Sequence, residues 1–310
     1  MQRKLINKFE PKQLVGTGSM NKVWHSEYYV CPKRNTVWVV AMAAILMLFI
    51  WPFNLSGAVL GDGSSSGVFS VSKTQKVCFA LGNLQYQAST GQWRFADYQW
   101  DYVGTQTPDR EWKVYGGMVN GSDNSDISKD YDGWIDLFGW GSGDNPTNTS
   151  SEKADYPSFV DWGQNCSGGW RTLTEVEWLH VLYVRKTTSG IRYAKAIVNE
   201  VKGLILLPDN WSKSKYSLKE TNKDMADFIS NKISESTWNK IFSPAGAVFL
   251  PAAGQRDGKT VRGVGLWGYY WLAPTGDDGS SSVYFDDGDM IAEPSYYGKG
   301  CSVRLVRSAK

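Results

Sequence analysis

Histidine is nearly absent from this chain: two in 310 residues, His25 and His180. A Ser-His-Asp or Cys-His system has almost nothing to draw on, and a zinc site of the usual His/Cys kind lacks ligands. Cysteine is also sparse, at four: Cys31, Cys78, Cys166 and Cys301. Three of them follow residue 58, an odd number that cannot form a fully paired framework. Positive charge is scarce in the same part. Residues 1–58 hold seven of the 33 basic and two of the 31 acidic side chains, so the rest is acidic by three. A mildly acidic domain without a basic stripe is a poor fit to nucleic acid.

Only one long apolar run is present, Val37 to Trp51, preceded by Lys33-Arg34 and followed by Ser56-Gly57-Ala58. Basic, apolar, small is the order of an export signal, and cleavage after Ala58 is the first reading. The second is an uncleaved anchor through residues 37–53, although the run is shorter than the roughly 20 residues of a spanning helix. No Cys follows the run, which disfavours a lipoprotein. Met20 is an alternative start, since residues 1–19 show no helical or strand period. The expected division is therefore an N-terminal extension over 1–58, a Gly/Ser spacer over 59–67 and one domain over 68–310. Residues 37–53, if kept, would be its membrane contact.

Within that domain the pattern is of short strands, a few helices and long loops, which indicates an α+β fold. Val68, Phe69, Val71, Val77 and Phe79 alternate as strands do. Trp93-Arg94-Phe95 follows a turn signal at Ser89-Thr90-Gly91. Residues 104–134 and 142–161 read as loops around the aromatic cluster Ile135–Gly141. The clearest helix starts at Thr174, whose spacing to Glu177 is that of a capping box. Trp178, Val181, Leu182 and Arg185 then share one face, with His180 turned about 200° from Trp178 towards solvent. Two more helices are expected over 221–232 and 236–242, the second capped by Ser236. Residues 204–207 and 247–250 read as core strands.

The stretch that points to function is the last one. Gly265-Leu-Trp-Gly-Tyr-Tyr-Trp271 and Gly298-Lys-Gly-Cys-Ser-Val-Arg-Leu-Val-Arg307 frame a segment rich in Asp, Gly, Ser and Tyr. Tyrosine offers contact area at low entropic cost and Ser, Gly and Asp adapt their hydrogen bonds, the composition of a recognition surface. Candidate ligand contacts are Trp271, Asp277, Asp278, Tyr284, Asp286, Tyr296 and Tyr297. On Ser282–Phe285, Val283 and Phe285 should face the core and Tyr284 outward. The alternatives are a solvated terminal hairpin and, for Trp271 and Tyr269, a role as core wedges.

Other chemistry is weaker. Asp130-Tyr-Asp132-Gly133-Trp-Ile-Asp136 alternates carboxylates in a manner compatible with calcium, but it lacks the distal Glu of an EF-hand; Glu293-Pro294-Ser295 only partly matches a lectin-type calcium motif. No cofactor is expected. The adjacent pairs Asp277-Asp278 and Asp286-Asp287 diverge too much to set a glycosidase separation. No catalytic residue is assigned.

Three ordered segments resemble one superfamily: Gly169-Trp170-Arg171 through Trp178, Gly246–Gly254 with Arg256, and Gly268–Trp271 through Gly300–Arg307. They are similar to the sulfatase-modifying-factor and C-type-lectin-like proteins, above all to the Fibrobacter succinogenes major paralogous domain and its relatives in Bacteroidota. Gly82–Tyr86 and Asp136–Gly141 add to the likeness, which spans about residues 67–308. The resemblance implies a C-type-lectin-like fold with paired terminal strands, two main helices and a loop-rich ligand face. Some relatives are variable targets of diversity-generating retroelements, and 272–297 is compatible with that. The oxidase branch of the superfamily uses a cysteine pair that Cys166 and Cys301 do not match, so no enzyme activity is expected. A strand-to-strand bridge between Cys78 and Cys301 is left open. The implied function is an exported or surface-anchored domain binding a protein or glycan; the alternative is a structural or adhesion component of the cell envelope.

Overall fold

The computed structural model describes residues 63–103, 127–276 and 279–310, with short pieces at 30–31, 118–119 and 124. The apolar run at 37–51 and the cleavage position at Ala58 lie outside the described residues. Among those described, no helix is long and apolar enough to cross a membrane. The fold is a mixed α+β arrangement of five small sheets and two short helices.

The ends of the domain meet in one sheet. β2 (Phe69–Ser70), β3 (Lys76–Phe79) and β18 (Val306–Ser308) pair antiparallel, with Val306 opposite Phe79 and Arg307 opposite Cys78. Paired terminal strands are thus present. Cys78 and Cys301 are both buried thiols and no bridge joins them. Cys78 faces Arg307 in register, whereas Cys301 bridges Phe138. Cys166 is disulfide-bonded. The spacer expected over 59–67 is built into the domain from Gly63 on: Ser64 is fully buried and Ser65 N–H donates to the Phe79 carbonyl at 2.8 Å. Gly67 crosses the chain at Gly246 so closely that a Cβ on either would lie about 2 Å from the other's backbone.

The largest sheet joins β8 (Tyr193–Val198), β9 (Val201–Leu206), β10 (Lys232–Ile233) and β11 (Val248–Pro251) in the order β10-β8-β9-β11. Both faces are covered, so its strands read as continuous apolar runs. Tyr193, Leu204, Leu206, Val248 and Leu250 look into one core, with Trp178, Val181 and Leu182 of the first helix. Ala196, Val198, Ile205 and Phe249 look into another, with Trp238 and Phe242 of the second. At the outer edge of β11 the Gln99 carboxamide imitates a strand, accepting from Phe249 N–H at 2.7 Å and donating to the Ala247 carbonyl at 3.1 Å.

A third sheet, β1-β5-β4-β7, contains the expected hairpin of β4 (Leu84–Gln87) and β5 (Gln92–Phe95), flanked by β7 (Trp134–Ile135) and β1 (Val30–Cys31). Gly91, at φ 65°, makes the turn. The fourth combines β6 (Met118–Val119), β12 (Gln255–Asp257), β13 (Thr260–Arg262) and β17 (Lys299–Gly300), and the fifth β14 (Gly268–Trp271), β15 (Ser281–Phe285) and β16 (Met290–Pro294).

Helix α1 (Glu175–Leu179) begins as the spacing predicts: Thr174 and Glu177 form a reciprocal capping box, and Arg171 grips Glu177 through two bonds of 2.7 and 2.5 Å. The chain then widens into a π-turn, His180–Val184, and Arg185 closes it on the Val181 carbonyl. Two expectations need correction. Residues 221–232 are not a helix: Glu220 and Asn222 are left-handed, and only a short 3₁₀ turn, Phe228–Ser230, forms under the Asp227 cap. The later helix, α2 (Glu235–Thr237) with a π-turn Trp238–Phe242, is capped by Ser234, not Ser236. Ser234 has the extended backbone a cap needs, and its hydroxyl accepts from Thr237 N–H at 3.2 Å.

Burial alone would raise the Glu177 pKa, but the hydrogen bonds and charge of Arg171 together with Thr174 bring it below the usual carboxylate value. Its contribution is therefore complete above that value and is lost as pH falls through the lowered one. Glu177→Gln should cost about 1–2 kcal/mol at pH 7, and the gap to the parent should be narrower at pH 3. Denaturant titrations at both pH values check this; curves that stay equally separated at pH 3 would contradict it.

Candidate functional site

The segment picked out by sequence folds as the β14-β15-β16 sheet and the turn that follows it. Register sorts its side chains into two faces. Gly268, Tyr270, Val283, Phe285, Met290 and Ala292 turn to the main core; opposite them Tyr269 pairs with Tyr284, Trp271 with Ser282, Tyr284 with Ile291 and Ser282 with Glu293. The expectation for Val283, Phe285 and Tyr284 agrees with this placement: the first two are fully buried and Tyr284 is half-buried.

The outer face is itself covered at one end. Trp271 is 1% exposed, packs with Trp93, Phe138 and Trp162 in a second, aromatic core, and donates its indole N–H to the Phe138 carbonyl at 2.6 Å. It is a wedge, not a surface contact, and its place in the contact set is corrected accordingly. Tyr269 lies nearly as deep, its ring tilted against that of Tyr284 at 4.7 Å, with the Lys299 ammonium 3.8 Å above it. Tyr297 is half-buried, edge-on to Trp140 at 4.8 Å. Tyr296, at 46% exposed, and Ile291, at 45%, are the large side chains that reach solvent here.

Asp286 also has a local occupation. Its Oδ1 accepts from Gly288 N–H and Asp289 N–H, both at 2.7 Å, and its Oδ2 receives the Tyr284 hydroxyl. It organises the turn between β15 and β16, so as a ligand contact it is corrected to a turn residue. Asp277 and Asp278 lie outside the described residues. Ile291 and Glu293 join the face although composition gave no hint of them; the alternation from Tyr284 through the register could have found them.

The face is chemically quiet. Burial raises the Tyr284 pKa, helped by Asp286; burial raises that of Tyr296, helped by Asp257; and burial raises that of Tyr269, helped by Glu293. All three phenols stay protonated; Tyr284 donates to Asp286 and Tyr296 to Asp257. The Cys301 thiol below them is pushed up to about 12 by burial, which removes its nucleophilic form. The surface is suited to contact and hydrogen bonding.

The edge of the sheet is closed to strand addition. The bonds Ser295 N–H to Ser280 O and Asp286 N–H to Asp289 O set the register so that Met290, Ala292 and Pro294 point their backbone groups outward. Pro294 has no N–H, Met290 N–H is taken by the Asp289 carboxylate and the Met290 carbonyl by the Tyr183 hydroxyl. Only Ala292 offers both groups, too little for an added strand.

The calcium-compatible stretch is arranged for the fold. Asp136 is fully buried and accepts from Val103 N–H at 2.9 Å and the Asn124 amide at 2.8 Å. Asp130 and Asp132 are exposed. Among the described residues no group of three or more His, Cys, Asp or Glu could hold a metal ion.

Comparison with protein-family models, with curated proteins and with solved structures finds no match.

Trp271→Ala should cost about 3–5 kcal/mol, as aromatic truncations in packed cores do, whereas Tyr296→Ala should stay within about 0.5 kcal/mol. Chemical denaturation of the two variants checks the division into wedge and surface. Equal losses would refute it.

Proposed function

We propose that this is an exported or surface-anchored binding domain of C-type-lectin-like type, in which residues 275–297 present a recognition surface to a protein or glycan. The observation that carries the reading is the sorting of that segment. Ile291 in β16 and Tyr296 just beyond it are exposed and Glu293 is partly exposed, whereas Tyr270, Trp271, Val283, Phe285 and Met290 of the same sheet are locked in two cores. Paired terminal strands and two short helices are compatible with that fold type. Residues 271–297 contain six acidic and no basic side chains, which favours a partner with positive charge. Contact by rigid aromatics, tuned by carboxylates and hydroxyls, is the mechanism.

Export has one structural consequence. β1 lies ahead of the apolar run and pairs with the outer edge of β5; cleavage after Ala58 would remove it, and a single span at 37–51 would put it on the far side of the membrane. Mass spectrometry of the N-terminus in the exported fraction should find Val59. A product that begins before Val30 and remains water-soluble would count against both routes.

The deciding experiment is sequencing of the gene's 3′ end and flanking DNA across isolates. The expected result is substitution concentrated at Asp277, Asp278, Ile291, Glu293 and Tyr296 that spares Trp271, Ser282 and Asp286. A near-copy of codons 265–307 differing at adenines beside a reverse transcriptase would add diversification to the reading. Substitution spread evenly over buried and outward positions, or over the whole domain, would favour the envelope structural role instead.

A further inference from the structure

The tip of the β15–β16 hairpin, residues 286–289, carries three exposed or half-exposed carboxylates and resembles a solvated loop in sequence. In the fold it is fastened from below. Lys195, in β8, is 1% exposed although it is a lysine. Its ammonium donates to the Asp289 carbonyl at 2.8 Å and to the Asp224 carbonyl. The Asp224 carboxylate in turn receives the Tyr193 hydroxyl. Lys202, opposite Ile197 and so on the same face of the sheet as Lys195, reaches Asp287 at 3.5 Å, and the other Asp287 oxygen accepts from Phe228 N–H at 3.1 Å. Tyr183 donates to the Met290 carbonyl at 3.2 Å.

A buried ammonium is costly unless its donors are used, and these acceptors are backbone atoms of two separate loops. The lysine is therefore satisfied only when both loops are docked on the sheet. Burial pulls its pKa below the usual value, against the opposing charge of Asp286, Asp224, Asp287 and Asp289.

We propose that Lys195 is a positioning residue, a buried peg outside the recognition segment that holds the β15–β16 hairpin on the β8–β9 sheet and so fixes where Ile291, Glu293 and Tyr296 stand. Its bearing on recognition rests on the function proposed above; the attachment itself does not. The turn at 286–289 is then part of the frame, and the side chains it leaves for contact include Ile291, Glu293 and Tyr296.

Hydrogen exchange read by mass spectrometry tests this on the full chain without any ligand, so its outcome is independent of whether the recognition reading stands. Lys195→Met should speed exchange in peptides spanning 286–293 by about ten-fold or more, while peptides from β8, β9 and α1 change less than about two-fold, as expected for a local opening. Unchanged exchange at 286–293 would overturn the proposal, and so would equal acceleration in β8 and β9, which would make Lys195 an ordinary core residue. Should Lys195→Met fail to fold, the shorter, uncharged Lys195→Gln, which keeps a polar end but cannot span both carbonyls, decides in its place. A rise of about three-fold or more confined to 286–293 supports the fastening; no rise, or one spread over the domain, overturns it.

Discussion

The guanidinium of Arg304 sits at 2% exposure with no carboxylate bonded to it, and its bonds go to four separate places. Nε donates to the Asn83 side chain at 3.0 Å; the terminal nitrogens reach the carbonyls of Ala80 at 3.1 Å, Gln99 at 3.4 Å and Phe249 at 2.8 Å. Burial lowers its pKa to about 10, so it is a cation at neutral pH. A buried cation costs several kcal/mol unless every donor is used, and here that requires the segment after β3, the segment after β5, strand β11 and the C-terminal segment to be in place together. The ring of acceptors converts a desolvation penalty into a demand for one arrangement of chain beginning, middle and end. Gln99 serves both sides of this junction, since its carbonyl meets Arg304 and its side chain edges β11. The Tyr270 hydroxyl continues the network to the Pro251 carbonyl and to Asn83.

Because Tyr270 belongs to β14, the β14-β15-β16 sheet is indexed to the same junction. From there its geometry follows by register. One face must bury Val283 and Phe285, which forces Tyr284 and Ile291 to the other; Trp271 then meets the aromatic core, and only the far end of the face is left to solvent. The edge is closed by Pro294, Asp289 and Tyr183. What remains for contact is a set of side chains, not a backbone template. That is the condition under which a surface can change its residues without inviting strand-to-strand aggregation.

Sequence disclosed the parts of this whose cause is local. The Thr174–Glu177 box, the turn at Gly91 and the alternation of Ser282–Phe285 each depend on neighbours within a few residues, and each stands where expected. The helix expected over 221–232 failed because Glu220 and Asn222 adopt left-handed backbone and Asn222 is occupied by Arg192 N–H at 2.7 Å, a contact 30 residues away. Trp271 shows the same limit from another side. Alternation tells that it faces away from Val283's core, but not that Phe138 and Trp162 wait on the other side. Asp286 looked available because a carboxylate's use by its own turn leaves no mark distinct from solvation.

The lysine at 195 is the hardest to see in advance, and the reason is general. Within Tyr-Ala-Lys-Ala-Ile-Val it occupies a core-facing position of a strand covered on both faces, which a binary pattern would mark as an error. It is tolerated because two carbonyls from distant loops accept its protons, so the information lies in Asp224 and Asp289 and not around the lysine. Arg304 follows the same logic with four acceptors, and Arg185 with Val181, Arg192 and Asp209. In each case a buried cation ties together segments that share no local signal. The cations that hold the backbone and the side chains that reach solvent at Ile291 and Tyr296 are thus drawn from different stretches of chain.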